Sequence, residues 1–152
     1  MNSTVTRTAA EALVQSLVAL GATHAFGVPG ESYLAVLDAL HDVEDKLPFI
    51  TCRHEAAAAN MAEAHGKLTG EPGICFVTRG PGATHASIAV HTAFQDSTPM
   101  ILFIGQVARY MKGKEAFQEM DYEAFFGSTA KWVVEVDNAD DMSATIARAY
   151  KK

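Results

Sequence analysis

Short apolar runs that end in a glycine or polar turn and then give way to a helical repeat occur three times in succession, and few folds accommodate that order. Residues 24–28 run into GVPG (27–30), after which Leu34, Val36, Leu37 and Leu40 recur at helical spacing. LPFITC (47–52) leads to a helix expected from about Glu55 to Leu68, with Gly70 as its stop. GICFVT (73–78) passes through RGPG to a helix expected over about 84–94. MILFIGQV (100–107) reads as a further strand. WVVEV (132–136) reads as another, after a polar stretch at 108–128 and before a last helix from about Ala139. Ahead of them all, Thr8 and Glu11 form a T-x-x-E capping box for a helix carrying Leu13, Val14, Leu17, Val18 and Leu20 until Gly21. Strands that are apolar throughout are buried on both faces, and helices between them supply the cover. The expectation is one α/β domain: an open parallel β-sheet of five or six strands with helices on both faces.

A length of 152 residues suits one core, and 49% apolar with 20% charged residues is an ordinary globular balance. The net charge of −6 lacks the clustered Lys and Arg that neutralise phosphate, which argues against a nucleic-acid partner. No run approaches the roughly 20 apolar residues of a membrane span, and the first residues lack a signal-peptide apolar core. The chain is therefore expected to be cytoplasmic. Cys52 and Cys75 each lie in an apolar run and read as buried free thiols rather than metal ligands. The last helix still runs at Lys152 in the pattern, which favours a longer parent chain.

In open parallel sheets, ligands bind beyond the carboxyl ends of the strands, near a reversal of strand order. GVPG, Arg53-His54-Glu55 and Gly80-Pro81-Gly82 all fall at such ends. Glycine there lets backbone approach a ligand and exposes helix N–H groups, although turn chemistry accounts for either glycine turn by itself. GPGATH has His85 where a phosphate loop would have glycine, and GVPGES lacks the Walker lysine. His54-Glu55 is not a zinc-protease signature either, because that spacing would need histidine at Ala58. Negative charge at a helix start is stabilising, so Glu55 could serve as a cap alone. The alanines at 56–59 argue for more, since they predict an apolar, close-packed helix start where a carboxylate is shielded from water and needs a partner.

GVPGES, RHEAAAANMAEAHGKLTG, CFVTRGPGATH, FQDSTPMILFIGQV and AFQEMD stand in the order and spacing of a known family. Together they resemble the pyrimidine-binding (PYR) domain of thiamine diphosphate enzymes, most nearly acetolactate synthase (acetohydroxyacid synthase). The resemblance implies that Glu55 hydrogen-bonds N1′ of the cofactor's aminopyrimidine and favours its imino tautomer. The 4′ nitrogen then removes the thiazolium C2 proton, so that a 2-oxoacid can be decarboxylated and its fragment passed to an acceptor. It further implies that Pro29 and Gly30 lie near the cofactor ring, with Gly80, Pro81 and Gly82 in the turn beside it. Gln118 would line the active-site entrance, with Phe117 next to it in either a core or a substrate-channel role. Members usually carry asparagine where this chain has His85, which can still donate or accept a hydrogen bond or simply be solvated.

The family holds the diphosphate and Mg²⁺ through a second domain with a GDG motif that this chain does not contain. The resemblance thus implies half a site, which binds the pyrimidine end of thiamine diphosphate and is completed by a homodimer partner or a separate diphosphate-binding domain or subunit. An excised domain, inactive alone, is the first reading. The alternatives are a natural small subunit of a two-chain decarboxylase, of the sulfopyruvate or phosphonopyruvate kind, and a non-catalytic α/β assembly module.

Overall fold

Thr8 opens the first helix, α1 (Ala9–Ala19), as the spacing predicts: its hydroxyl accepts from Glu11 N at 3.1 Å, and Glu11 accepts from Thr8 N at 2.6 Å. The computed structural model describes residues 6–152. The chain continues through β1 (Ala25–Gly27), α2 (Leu34–His41), β2 (Phe49–Thr51), α3 (Glu55–Thr69) and β3 (Gly73–Val77). It ends with α4 (Gly80–Asp96), β4 (Met100–Ile104), the short α5 (Tyr122–Phe126) and α6 (Met142–Ala149). All strands are parallel in the order β2-β1-β3-β4, with Phe26 opposite both Ile50 and Cys75, and Cys75 opposite Leu102. The chain turns outward to β2 after β1 and outward to β4 after β3. The reversal in strand order therefore lies between the carboxyl ends of β1 and β3.

Successive strand side chains point to opposite faces, and this splits the interior in two. On one side Ala25, Ile74 and Phe76 pack with Leu13, Val14 and Leu17 of α1, Leu40 of α2 and Ile146 of α6. On the other, Phe26, Cys75 and Val77 meet Ala58, Ala59 and Ala62 of α3 and Ala86 and Ala89 of α4. The helices contribute only alanine to this buried cluster, so α3 and α4 lie close to each other and to the sheet. A side chain on Gly73 would run into the backbone carbonyl of Ala62, and one on Gly66 into that of Pro99. At the far end of α3, Lys67 joins Glu63 at 3.2 Å and Asp96 of α4 at 2.5 Å. Cys52 and Cys75 are free thiols, and burial pushes Cys75 up to about 12.

Three sequence expectations are corrected. The sheet has four strands among the described residues, not five or six, because residues 132–136 join no ladder. Apolar character marked that segment for burial but named no partner edge: Trp132 lies under the Arg148 guanidinium at 4.8 Å, and Glu135 pairs with Lys112 at 2.7 Å. Secondly, α4 begins at Gly80 rather than near Thr84. Glycine and proline together read as a turn, yet proline in a first helical turn gives up only an N–H that has no helical partner anyway. Gly80, Pro81 and Gly82 are thus helix, and Ala83 N already bonds Arg79 O at 2.9 Å. Finally, α6 stops at Ala149, after which Lys151 and Lys152 bond back only three residues, to Arg148 and Ala149.

Gly73→Ala tests the close approach of α3 to the sheet, since the added methyl meets backbone that cannot swing aside. It is expected to lower the unfolding free energy by about 1–3 kcal/mol, while Ala64→Leu, on the exposed side of α3, stays within about 0.5 kcal/mol. Urea unfolding followed by circular dichroism measures both.

Candidate functional site

Because β2 and β3 point the same way, the helices that follow them start at the same edge of the sheet. Glu55 is the first residue of α3 and His85 lies in the second turn of α4. The alanine seam holds these starts together, and His85 Nδ1 bonds Glu55 Oε2 at 2.9 Å. The glutamate side chain is 14% exposed and the histidine 51%, so a shielded carboxylate meets an imidazole that opens to solvent. His54 caps α3, its Nδ1 accepting from Ala56 N at 3.1 Å, and its ring stacks on that of His85 with centroids 4.4 Å apart. The close packing expected of the alanine run holds for only its second half. Ala58 and Ala59 are buried in the seam, whereas Ala56 is half-buried and Ala57 exposed.

The crevice between β1 and β3 is bounded by the remaining predicted residues. Gly30 approaches the Thr78 side chain closely enough that a Cβ would come within 2.8 Å of it. Pro29 is exposed beside it. Tyr33, buried, donates its hydroxyl to the carbonyl of Val28 and so ties down the GVPG turn. Burial, then the nearby Cys75 and Glu55, raises that phenol well above its ordinary value. Ser32 and Thr78 hydroxyls meet at 3.0 Å across the crevice. Arg79, 14% exposed in its side chain, pairs with Glu31 at 2.7 Å and donates to the Phe117 carbonyl at 3.4 Å.

Gly80 N donates to Gln118 O at 3.0 Å, so the loop at 113–119 is tied to the start of α4. Gln118 adopts a left-handed φ of 62°, a conformation that costs a non-glycine residue energy and is retained only where its surroundings impose it. A Cβ on Gly80 would sit 3.1 Å from that carbonyl, which accounts for glycine there. Phe117 is 73% exposed, so core packing, one of its two expected roles, is excluded in this chain. The predicted residues thus form two hydrogen-bonded groups, Glu55 with His85 and Gly80 with Gln118, joined through the first turns of α4. Sequence reasoning missed Tyr33, the Ser32–Thr78 contact and the Arg79–Glu31 pair. Of these only Arg79, set directly before GPG, carried a local signal.

Residues 7–125 match the family described as thiamine pyrophosphate enzyme, N-terminal TPP binding domain. The chain belongs to that family. Among relatives of this thiamine pyrophosphate-binding domain, acetolactate synthase of Bacillus subtilis is 38% identical over 149 residues, covering 98% of this chain and 26% of the relative. The mitochondrial acetolactate synthase catalytic subunit of Saccharomyces cerevisiae is 40% identical over 126 residues, 83% of this chain and 18% of its own. The Escherichia coli acetolactate synthase isozyme 3 large subunit is 38% identical over 141 residues, 93% of this chain and 24% of its own. The domain therefore spans about a quarter or less of the length of these relatives. No described helix is long and apolar enough to cross a membrane.

A groove of about 1920 Å³ opens elsewhere, along β4, residues 129–137 and α6, and neither Glu55 nor His85 lines it. Size alone would favour it as a ligand site. The chemistry favours the strand-end edge, where the shielded carboxylate, the helix starts and the reversal of strand order coincide.

The loop carrying Gln118 depends on Glu119, which accepts from Gly113 N at 2.5 Å and Ala116 N at 3.0 Å; these bonds hold its carboxyl below the usual 4.5. A lowered folded-state value means that the bonds stabilise the loop above the unfolded value and are lost as pH falls through the folded one. Protection factors for the Gly113 and Ala116 amides, measured by hydrogen exchange, are expected to fall as the pH drops below about 4.5. Glu119→Gln should show the same low protection at neutral pH.

Proposed function

We propose that this domain supplies the pyrimidine-binding half of a thiamine diphosphate site in an acetolactate synthase-like enzyme acting on a 2-oxoacid. The observation that carries the reading is Glu55: a carboxylate 14% exposed, at a strand's carboxyl end and the first position of a helix, with a hydrogen-bond partner on Oε2. In that reading Oε1 is assigned to N1′ of the aminopyrimidine. A charge-assisted bond of this kind contributes about 1.5–3 kcal/mol net, and exclusion of water strengthens it.

The residues present fit the cofactor's pyrimidine end. Gly30 and Gly80 keep backbone free of side chains at the crevice, and Tyr33 holds the GVPG turn in place. Thiamine diphosphate, when bound, supplies the electron sink that decarboxylation of a 2-oxoacid needs. Glu55 holds or yields the proton at N1′, and His85 orients the carboxylate. Gln118, fixed by Gly80, faces the entrance, and exposed Phe117 is assigned to the substrate channel. The diphosphate and its Mg²⁺ fall to a further domain or subunit, in keeping with the share of the acetolactate synthases that this domain covers.

Glu55→Gln in the enzyme that contains this domain is expected to lower 2-oxoacid decarboxylation by about 10²–10⁴-fold, read as CO₂ release from pyruvate and its homologues. Unchanged turnover would remove Glu55 from the chemistry and return it to helix capping.

Half a site requires a covering partner, and we assign that role to a second copy or to the diphosphate-binding domain. Met61 and Leu68 of α3 and Ile88 and Phe94 of α4 are exposed apolar side chains on the helices that start at the site. Sedimentation velocity of the isolated domain is expected to show a dimer, shifted toward monomer by Ile88→Asp. A wild-type monomer at high concentration would leave the separate domain as the partner.

A further inference from the structure

His54, Glu55 and His85 bring three donor atoms within 4.8 Å of one another, although the two histidines are 31 positions apart in sequence. We propose that this cluster is a binding site for a divalent transition metal ion of the zinc class. Two imidazoles and one carboxylate match the donor preference of Zn²⁺ and its neighbours, and three protein ligands leave a fourth position for water. Mg²⁺, which prefers oxygen donors and octahedral geometry, is excluded by the same set.

The local geometry supplies the means. Neighbouring donors on a tetrahedral zinc with bonds of about 2.0–2.1 Å stand about 3.3 Å apart. His85 Nδ1 and Glu55 Oε2 are already 2.9 Å apart, so the ion takes the place of the proton they share, which moves to the other ring nitrogen. His54 gives up its bond to Ala56 N on ligation, because either the lone pair goes to the metal or Nδ1 takes the proton. That amide is solvent-exposed, and water replaces the lost acceptor. The field of the two helix starts opposes the ion's charge, which the Glu55 carboxylate offsets. Half the His85 side chain is open to solvent, giving the ion a way in.

The site stands on these three side chains and does not rest on the thiamine reading. Where Glu55 also serves an aminopyrimidine, the ion would occupy the same carboxylate, and metal and cofactor would exclude each other.

Cobalt(II) titration of the purified protein, followed by visible d–d absorption and reversed by Zn²⁺, tests the proposal directly. The expected result is saturable binding with a tetrahedral spectrum, lacking the thiolate charge-transfer band that Cys52 would give. His85→Asn, and His54→Asn, which keeps a helix-capping acceptor, should each weaken Co²⁺ and Zn²⁺ by about tenfold or more. A readout that needs no variant accompanies it: in imidazole nitrogen–proton spectra, Zn²⁺ should shift His54 and His85 and leave His24, His41, His65 and His91 in place. Absence of saturable binding, unchanged affinity in folded His85→Asn, or zinc shifts at the other four histidines alone would overturn it.

Discussion

The seam of small residues between α3, α4 and β3 is the constraint on which the rest of the edge depends. Ala58, Ala59, Ala62, Ala86 and Ala89 are fully buried, and Gly66 and Gly73 meet backbone carbonyls where a side chain would not fit. Small contact residues shorten the distance between packed helices. Since both helices follow parallel strands, that distance also sets the separation of their N-termini. A leucine in place of Ala59 or Ala86 would stabilise a helix in isolation as well as alanine does, near enough, yet would push Glu55 away from His85. The alanines therefore act by bringing polar groups together several residues away.

Charge at this edge is arranged to match the helix ends. Negative Glu55 sits at the start of α3, where unpaired N–H groups favour it, and its shielding leaves His85 as a direct partner. Arg79 stands before α4 against that preference, so it is turned to Glu31 and to the Phe117 carbonyl rather than to the helix. The same arginine thereby links the turn after β1 to the loop before α5. Through Gly80 and Gln118 the loop is held a second time by backbone alone, which fixes its path without spending a side chain.

Much of the fold was legible because its signals are local. Apolar strands, glycine stops and the Thr8–Glu11 box each report within a few residues, and the order of elements follows from them. Gly80-Pro81-Gly82 misled for a physical reason: proline breaks a helix interior but is tolerated in its first turn, and spacing alone does not say which applies. Residues 132–136 misled differently. An apolar run states that burial is favourable, and Trp132 meets part of that need against Arg148 without any strand partner. In the site, Glu55 was legible from its place between strand and helix, whereas Arg79 acts on Phe117, 38 positions away, Ser32 meets Thr78, 46 positions away, and Tyr33 bonds Val28 across a turn that the pattern does not encode.

Read by itself, the amino-acid order determined the α/β class, the parallel sheet, the family blocks and the candidate glutamate, since each depends on residue type and short-range period. Tertiary structure alone decided the strand order and which face each helix covers. It alone placed His85 on Glu55 with His54 stacked alongside, and it alone brought Gln118 to Gly80. The reason is the same in every case. Contacts between residues 30 or more positions apart depend on the separation of packed helices and strands, and that separation is set by summed side-chain volume in a core no single segment contains.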